Sequence, residues 1–328
     1  MGDKVFGFII SILLCQPHLL LAEWNTKDFQ KREHSLVKPY QGSGFGVPNW
    51  DFQGSTMVTS NYIRLTPDQR SKQGALWNKI PCRVRNWEVQ IHFKVTGTTK
   101  ELFGDGFAFW YTKERMENGP VFGSKDYFTG LAIIADTYNN HIAHNKLQHP
   151  YLSAMVNNGS VSYDHERDGK GTMLGGCEVK MRNMQHETWV TIRYENDRLT
   201  ISHDLLNKRA WAPCFTMEGV KLPTGYYFGM SATTGDLSDA HDVISVKTYE
   251  LDTPAGVPKE ERPDILPEAE QVVNTVKEEV DTESSVPSMS GVKKFFIGLL
   301  VVLGLVVAGV IGIMIYQNQQ ENNRKRFY

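Results

Sequence analysis

Between Trp87 and Val95 the chain alternates strictly. Trp87, Val89, Ile91, Phe93 and Val95 fall on one parity, and Glu88, Gln90, His92 and Lys94 on the other. A period of two puts the first set on one face of a β-strand, in a core, and the second in water or against a polar cleft. Further strand-like runs are Phe107–Thr112, Leu131–Thr137, Trp189–Glu195, Arg198–Asp204, Tyr226–Thr234 and Val243–Leu251, spaced by Gly, Asn-Asp and Pro-Thr-Gly turns. No stretch between residues 33 and 252 carries an apolar stripe of helical period. Short strands over so long a segment predict one all-β domain, a two-sheet sandwich large enough to bury its own core.

Outside 33–252 the pattern changes. Residues 1–22, MGDKVFGFIISILLCQPHLLLA, read as a secretory signal peptide: one Lys, an apolar core and a small residue at Ala22. Residues 253–292 are acidic, Pro-spaced and poor in aromatics, which predicts an extended stalk with a short helix near Pro267–Val280. Residues 295–316 carry no charge. At ~1.5 Å per residue such a helix spans a bilayer core of roughly 30 Å. The sequence therefore predicts a luminal body, one transmembrane helix and a cytosolic tail at 317–328. Arg324, Lys325 and Arg326 agree with the positive-inside rule, whereas Lys293 and Lys294 on the luminal flank oppose it.

Composition narrows the chemistry. A formal net charge of −2 with 22% charged residues, and no basic patch interleaved with aromatics, argues against a nucleic-acid partner. Of the four cysteines, Cys15 leaves with the signal peptide. In an oxidising compartment the remaining three give one bridge and one thiol. Cys177 and Cys214 lie in the same half of the domain and are paired here, leaving Cys82 as a buried free thiol. Asn158-Gly159-Ser160 is an N-glycosylation sequon on an exposed luminal turn. The stalk has no cysteine and no heptad, so a monomer is expected.

The chemically richest stretch runs from Ile134 to Gly169. Asp136, Tyr138 and Asn140 fall at every second position, and Asp164, His165 and Asp168 close the stretch. Alternate oxygen donors on a turn, completed by a later carboxylate, suit a hard cation such as Ca²⁺. Asp and Asn are equally at home in plain loops. His141, His144 and His149 lie between these groups; they read as an exposed loop, with a second metal site as the alternative. Elsewhere, Gly104-Asp105-Gly106 opens a strand, and Thr233-Thr234-Gly235-Asp236-Leu237-Ser238-Asp239 follows one.

The ordered set GDGFAFW, DTYNN, NNGSVSYDHERDG and PTGYYFGMSATTGDLSD resembles the leguminous-type (L-type) animal lectins. Among these it is most similar to the vesicular integral membrane lectins of the early secretory pathway and their ER-resident relatives. The likeness extends over signal peptide, sandwich, stalk, span and basic tail. It implies a concanavalin-like sandwich (jelly roll) that binds high-mannose N-glycans of secretory glycoproteins with the help of Ca²⁺. The resemblance further implies Ca²⁺ ligation by Asp136, the carbonyl of Tyr138, Asn140 and Asp168. For the sugar it implies Ser71, Asp105, Asn140, His165, Gly235, Asp236 and Leu237. The Cys177–Cys214 bridge also matches the family's, and the Gly–Asp bond of GDG can be cis in that fold. Asn139 stands where the family has Pro, which is expected to loosen the turn. Sandwich glucanases carry Glu-x-Asp-x-x-Glu on one strand; no such run occurs, so no enzyme is expected. His165, an imidazole ordinarily titrating near neutrality, is expected to gain charge on acidification and release both ligands. In the tail, Arg324-Lys325-Arg326 resembles an arginine-based retention signal and Phe327-Tyr328 a terminal aromatic export pair. These imply recognition by retention machinery or vesicle coats, and residence in endoplasmic reticulum and early Golgi membranes.

Overall fold

The computed structural model describes residues 29–41, 46–140, 147–186, 188–208, 210–252, 261–269, 304–306 and 308–315. The chain divides into two units, Met1–Gln271 and Val272–Tyr328. In the second unit, residues 304–306 and 308–315 are helical and lie within the predicted span. Among the described residues no helix is long and apolar enough to cross a membrane. The rest of the span, the signal peptide 1–22 and the tail residues Arg324, Lys325, Arg326, Phe327 and Tyr328 lie outside the described residues.

The first unit is the expected two-sheet, all-β body. One sheet runs Ala212–Met217, Arg198–Asp204, Thr188–Glu195, Trp87–Thr96, Ala240–Glu250, Ile63–Thr66, Met57–Val58, with Phe29–Gln30 added beside Ala240–Glu250. The other runs Gly175–Glu178, Tyr151–Asn158, Thr129–Asp136, Gly106–Thr112, Tyr227–Thr233, Gln73–Asn78, Trp50–Gly54. All neighbouring strands in both sheets are antiparallel. The strand Trp87–Thr96 points Trp87, Val89, Ile91, Phe93 and Val95 into the core between the sheets, as its alternation dictates. Its polar face is covered in part: Glu88 pairs with Arg193 at 3.1 Å and His92 stacks on Trp189 with ring centres 4.2 Å apart, while Lys94 is exposed.

The inner strands of the second sheet are buried on both faces. Phe107, Phe109 and Tyr111 join the inter-sheet core, while Ala108 and Trp110 face a second apolar cluster. Loop aromatics Phe122, Phe128 and Tyr163 close that cluster over Trp77, Ile134 and Met155. A strand buried on both sides reads as a continuous apolar run, which is why Phe107–Thr112 shows no alternation.

Cys177 and Cys214 are bonded with Cα atoms 5.4 Å apart. Because these residues sit on the outermost strands Gly175–Glu178 and Ala212–Met217, the bridge staples one edge of each sheet to the other. Cys82 is buried and free, and burial pushes its thiol up to about 12, so it stays protonated. Part of the expected stalk belongs to this body. Glu268–Ala269 pairs with Val220–Lys221, and Arg262 binds both carboxylate oxygens of Asp197 and the Tyr194 hydroxyl. A short polar strand carries no alternation long enough to read, so composition alone placed it in the linker.

Candidate functional site

Strand register brings the four sequence motifs to one end of the second sheet. Gly106 lies opposite Asp136 on one side and Thr233 on the other, and Thr233 lies opposite Gln73. The residues just beyond these strand ends, Asp105, Thr137–Asn140, Thr234–Leu237 and the loop ending at Lys72, therefore adjoin one another. Asp136 also faces Tyr151, which sets the segment before Tyr151 alongside the one after Asp136.

Backbone hydrogen bonds fix this meeting point. The Thr137 N–H donates to the Asp105 carbonyl at 2.9 Å, and the Ser71 N–H to the Gly235 carbonyl at 3.0 Å. Asp136 Oδ1 accepts from the Tyr138 N–H, and Asp168 Oδ1 from the Asn140 N–H, both at 3.0 Å. The two carboxylates thus shape the turn that carries the remaining expected ligands. The Gly104–Asp105 peptide bond is cis, in line with the likeness. Gly235 is needed for close approach: a Cβ there would stand 3.1 Å from Asp105 Oδ2. A Cβ on Gly104 would meet Tyr138 at 3.1 Å and Leu237 at 3.8 Å. Asp105, Tyr138, Gly235 and Leu237 are therefore neighbours.

Asp168 ends the short 3₁₀ helix His165–Arg167 in a left-handed conformation, φ 53° and ψ 38°. Asp residues tolerate this region better than most. Asp164 caps the same helix by accepting from the Arg167 N–H, a structural role. The His165 ring packs on Tyr163 and Phe122, with centres 4.7 and 5.7 Å away. Its hydrogen bond to the Pro120 carbonyl leaves Nε2 buried without a partner. Burial lowers the His165 pKa, which corrects the expectation of an acid-sensitive imidazole near neutrality. The aromatic cluster beneath it disfavours the charged form.

The carboxylates are shifted the other way. Burial, then the charge of Asp168, raises the Asp136 pKa well above the carboxylate range. Burial, then Asp236, pushes Asp105 up to about 6. Among the described residues no Lys or Arg pairs with Asp105 or Asp136. A buried carboxylate without a countercharge is costly unless something supplies one. Asp136, Asp168 and His149 bring one potential ligand atom each to within 4.8 Å of one another. The donor set fits a bound divalent cation.

Two readings of the His-rich loop change. His149 is not on an exposed loop: its side chain is 4% exposed, and Nε2 lies 3.9 Å from Asp136 Oδ2. His141 and His144 lie outside the described residues. Asn139, expected to loosen the turn, instead donates from Nδ2 to the Leu147 carbonyl at 3.2 Å and ties the two feet of the loop together. Asn158 is exposed at the Asn158-Gly159-Ser160 turn, seven residues along the strand pairing from Asp136, at the opposite end of that strand pair.

Sequence reasoning missed the supports of the Gly235–Leu237 loop. Asp68 accepts from the Ser238 hydroxyl at 2.7 Å and from the Thr98 N–H and hydroxyl at 3.0 Å. Arg182 Nε donates to both oxygens of Asp239 at 2.9 Å and lies over the Phe103 ring at 4.1 Å. On the other flank, the Thr234 hydroxyl donates to the Gln69 carbonyl and accepts from the Lys72 N–H. The loop is clasped at both ends, with Ser71 in one of the clasping segments.

Residues 27–257 match the Legume-like lectin family. Vesicular integral-membrane protein VIP36 of Mus musculus is 48% identical over 329 residues, covering 98% of this chain and 91% of that relative. The human VIP36-like protein is 50% identical over 308 residues, covering 92% of this chain and 87% of its own length. The Ca²⁺- and mannose-bound exoplasmic/lumenal domain of VIP36 superposes with a TM-score of 0.70 at 53% identity, covering 73% of this chain and 98% of that domain. The chain belongs to the legume-like lectin family, and with it to the carbohydrate-binding proteins rather than the enzymes.

Proposed function

We propose that this protein is a Ca²⁺-dependent lectin for high-mannose N-glycans, sorting or retaining glycoproteins between the endoplasmic reticulum and the Golgi. The observation that carries the reading is a pair of carboxylates, the buried Asp136 and the half-buried Asp105, without a basic partner among the described residues, at the point where four loops converge. Structures of the VIP36 luminal domain in Ca²⁺/mannose-bound and Ca²⁺/Man3GlcNAc-bound forms support it.

In this reading Asp136, Asp168, Asn140 and the Tyr138 carbonyl hold the ion. Ca²⁺ supplies the positive charge that Asp136 lacks among the described residues, and so stabilises the turn from Asp136 to Asn140. Asp105 and Asn140 offer an acceptor and an amide to vicinal sugar hydroxyls, which donate and accept at once. Gly235 and Asp236 add backbone N–H groups, Leu237 an apolar wall, and His165 Nε2 an unpartnered nitrogen. Ser71 completes the rim through its tie to Gly235. Ordering these groups before the glycan arrives lowers the cost of binding.

The membrane span 295–316 and the tail signal Arg324–Tyr328 are part of the same proposal: a single-pass protein with its lectin body in the lumen. Immobilised high-mannose glycan should retain the full-length protein in Ca²⁺ and release it in EDTA, and Asp105→Asn should not bind. Retention that ignores EDTA would favour a glycan-independent receptor. Replacing Arg324, Lys325 and Arg326 by Ala should move the protein toward the cell surface; unchanged distribution would remove the retention role.

A further inference from the structure

We propose that the lectin site of one copy of this chain binds the N-glycan carried on Asn158 of a second copy, so that the protein is a ligand for itself. The inference rests on the lectin reading above and adds a partner to it.

Asn158-Gly159-Ser160 is the only N-glycosylation sequon in the sequence. Its local structure suits a carried sugar. Asn158 ends the strand Tyr151–Asn158, is exposed, and is followed by Gly159 at φ 91°, which turns the chain back. Asn158 Oδ1 accepts from the Ser160 N–H at 3.1 Å and from the Ser160 hydroxyl. The oxygen is engaged in the turn, and Nδ2, the atom a sugar joins, is left out of it. Ser160, Val161 and Ser162 are exposed as well, so the turn stands in solvent.

Position decides which site this glycan reaches. Thr129 faces Asn158, and Asp136 faces Tyr151, in one ladder. Seven residue steps at about 3.4 Å each separate the two pairs, roughly 23 Å. The ligand loops extend from the Asp136 end and the sequon turn from the other. To fill its own site the glycan would have to double back along the whole strand pair, whereas a neighbouring copy meets it end-on. The contact joins two different patches and is therefore heterologous. The sugar class also matches. N-glycans are attached in the endoplasmic reticulum in a mannose-rich form, whose vicinal hydroxyls suit the acceptor of Asp105 and the amide of Asn140. Cargo glycans then compete with the Asn158 glycan, so an empty lectin is held by its own kind and freed by cargo.

The test uses full-length protein in detergent, produced in cells that leave N-glycans untrimmed. Mass spectrometry should find a high-mannose glycan on Asn158; an unmodified Asn158 would overturn the inference. Asn158→Gln then has a site and no glycan, and Asp105→Asn a glycan and no working site. Sedimentation of labelled Asn158→Gln with Asp105→Asn in Ca²⁺ should show a complex at least about tenfold more abundant than in EDTA, after endoglycosidase H, or with free high-mannose glycan added. Neither variant alone should associate. If no such complex forms while Asn158→Gln is still retained by immobilised high-mannose glycan, self-recognition is wrong and the lectin reading stands. If Asn158→Gln and endoglycosidase-trimmed wild type are both not retained, both readings fall; the trimmed wild type covers a misfolded variant. At high dilution the wild type should be retained as well as Asn158→Gln. Weaker retention of the wild type would put the glycan in its own site and overturn binding between copies.

Discussion

Two parts of the sandwich treat buried negative charge in opposite ways. Acids that brace the scaffold and its loop supports are matched by a guanidinium: Glu88 by Arg193 at 3.1 Å, Asp242 by Arg64 at 2.7 Å and Asp239, beside the Gly235–Leu237 loop, by Arg182 at 2.9 Å. At the ligand end, Asp105 and Asp136 have no such partner among the described residues, and both are pushed toward the protonated form. The first arrangement is complete within the chain. The second is complete only with something added, and that difference marks the site more clearly than any single motif. Functional sites are where such unbalanced charge is retained.

The comparison makes its largest prediction at a matched pair. Asp239→Asn leaves Arg182 charged, 8% exposed and without its carboxylate. Breaking a buried pair in this way typically costs about 3–5 kcal/mol, which denaturant unfolding should record. An unchanged midpoint would mean that the pair contributes little and that the contrast has no energetic content.

The next effect is on pH. The folded pKa of Asp105, about 6, lies above its ordinary 3.8. Between those values the folded, metal-free protein holds a proton that the unfolded chain has released. Stability from this group is therefore full below about 3.8 and is lost as pH rises through about 6. Asp197 behaves oppositely: hydrogen bonds from Arg262 and Tyr194 outweigh its burial and hold its pKa below the ordinary value. Its contribution is present above the ordinary pKa and disappears as pH falls through the folded one. Melting curves of the metal-free protein should show Asp105→Asn more stable than wild type at pH 7, with the difference vanishing near pH 4. A difference independent of pH would reject this account of Asp105. Protonation of Asp105 should likewise weaken glycan binding on acidification, whereas burial disfavours charging of His165.

The smallest effect separates the loop clasp from the ion. Asp68→Ala removes the acceptor for Ser238 and Thr98. Hydrogen bonds of this kind contribute about 1 kcal/mol each, so glycan affinity should fall severalfold with Ca²⁺ affinity unchanged. Loss of both affinities together would show that the clasp supports the whole end of the sheet.

Much of this was legible before the fold was known, and the exceptions have physical reasons. The strict alternation from Trp87 to Val95 determined a strand and its inner face, and the ordered motifs indicated Asp105, Asp136, Asp168 and the Gly235 loop. Short edge strands such as Trp50–Gly54 and Gly175–Glu178 were not legible, because glycine and mixed polarity over four or five residues give no period to read. Nor was the second apolar cluster, since Phe122, Phe128 and Tyr163 come from loops and meet only through tertiary packing. His149 looked like one of three histidines in a polar loop; only the register of Tyr151 against Asp136 shows that it is buried. Asp68 and Arg182 act on the ligand loop through Ser238 and Asp239, an indirect contact that leaves no local motif.

The most direct measurement is thermal unfolding of the metal-stripped full-length protein and Asp136→Asn, each with and without Ca²⁺. An ion that binds only the folded state stabilises it by about 2.7 kcal/mol at a hundredfold excess over its Kd. The unmatched-charge account predicts that Asp136→Asn melts higher than wild type without Ca²⁺, and that Ca²⁺ raises only the wild type. A wild type indifferent to Ca²⁺, or a variant that melts lower without it, would contradict the account.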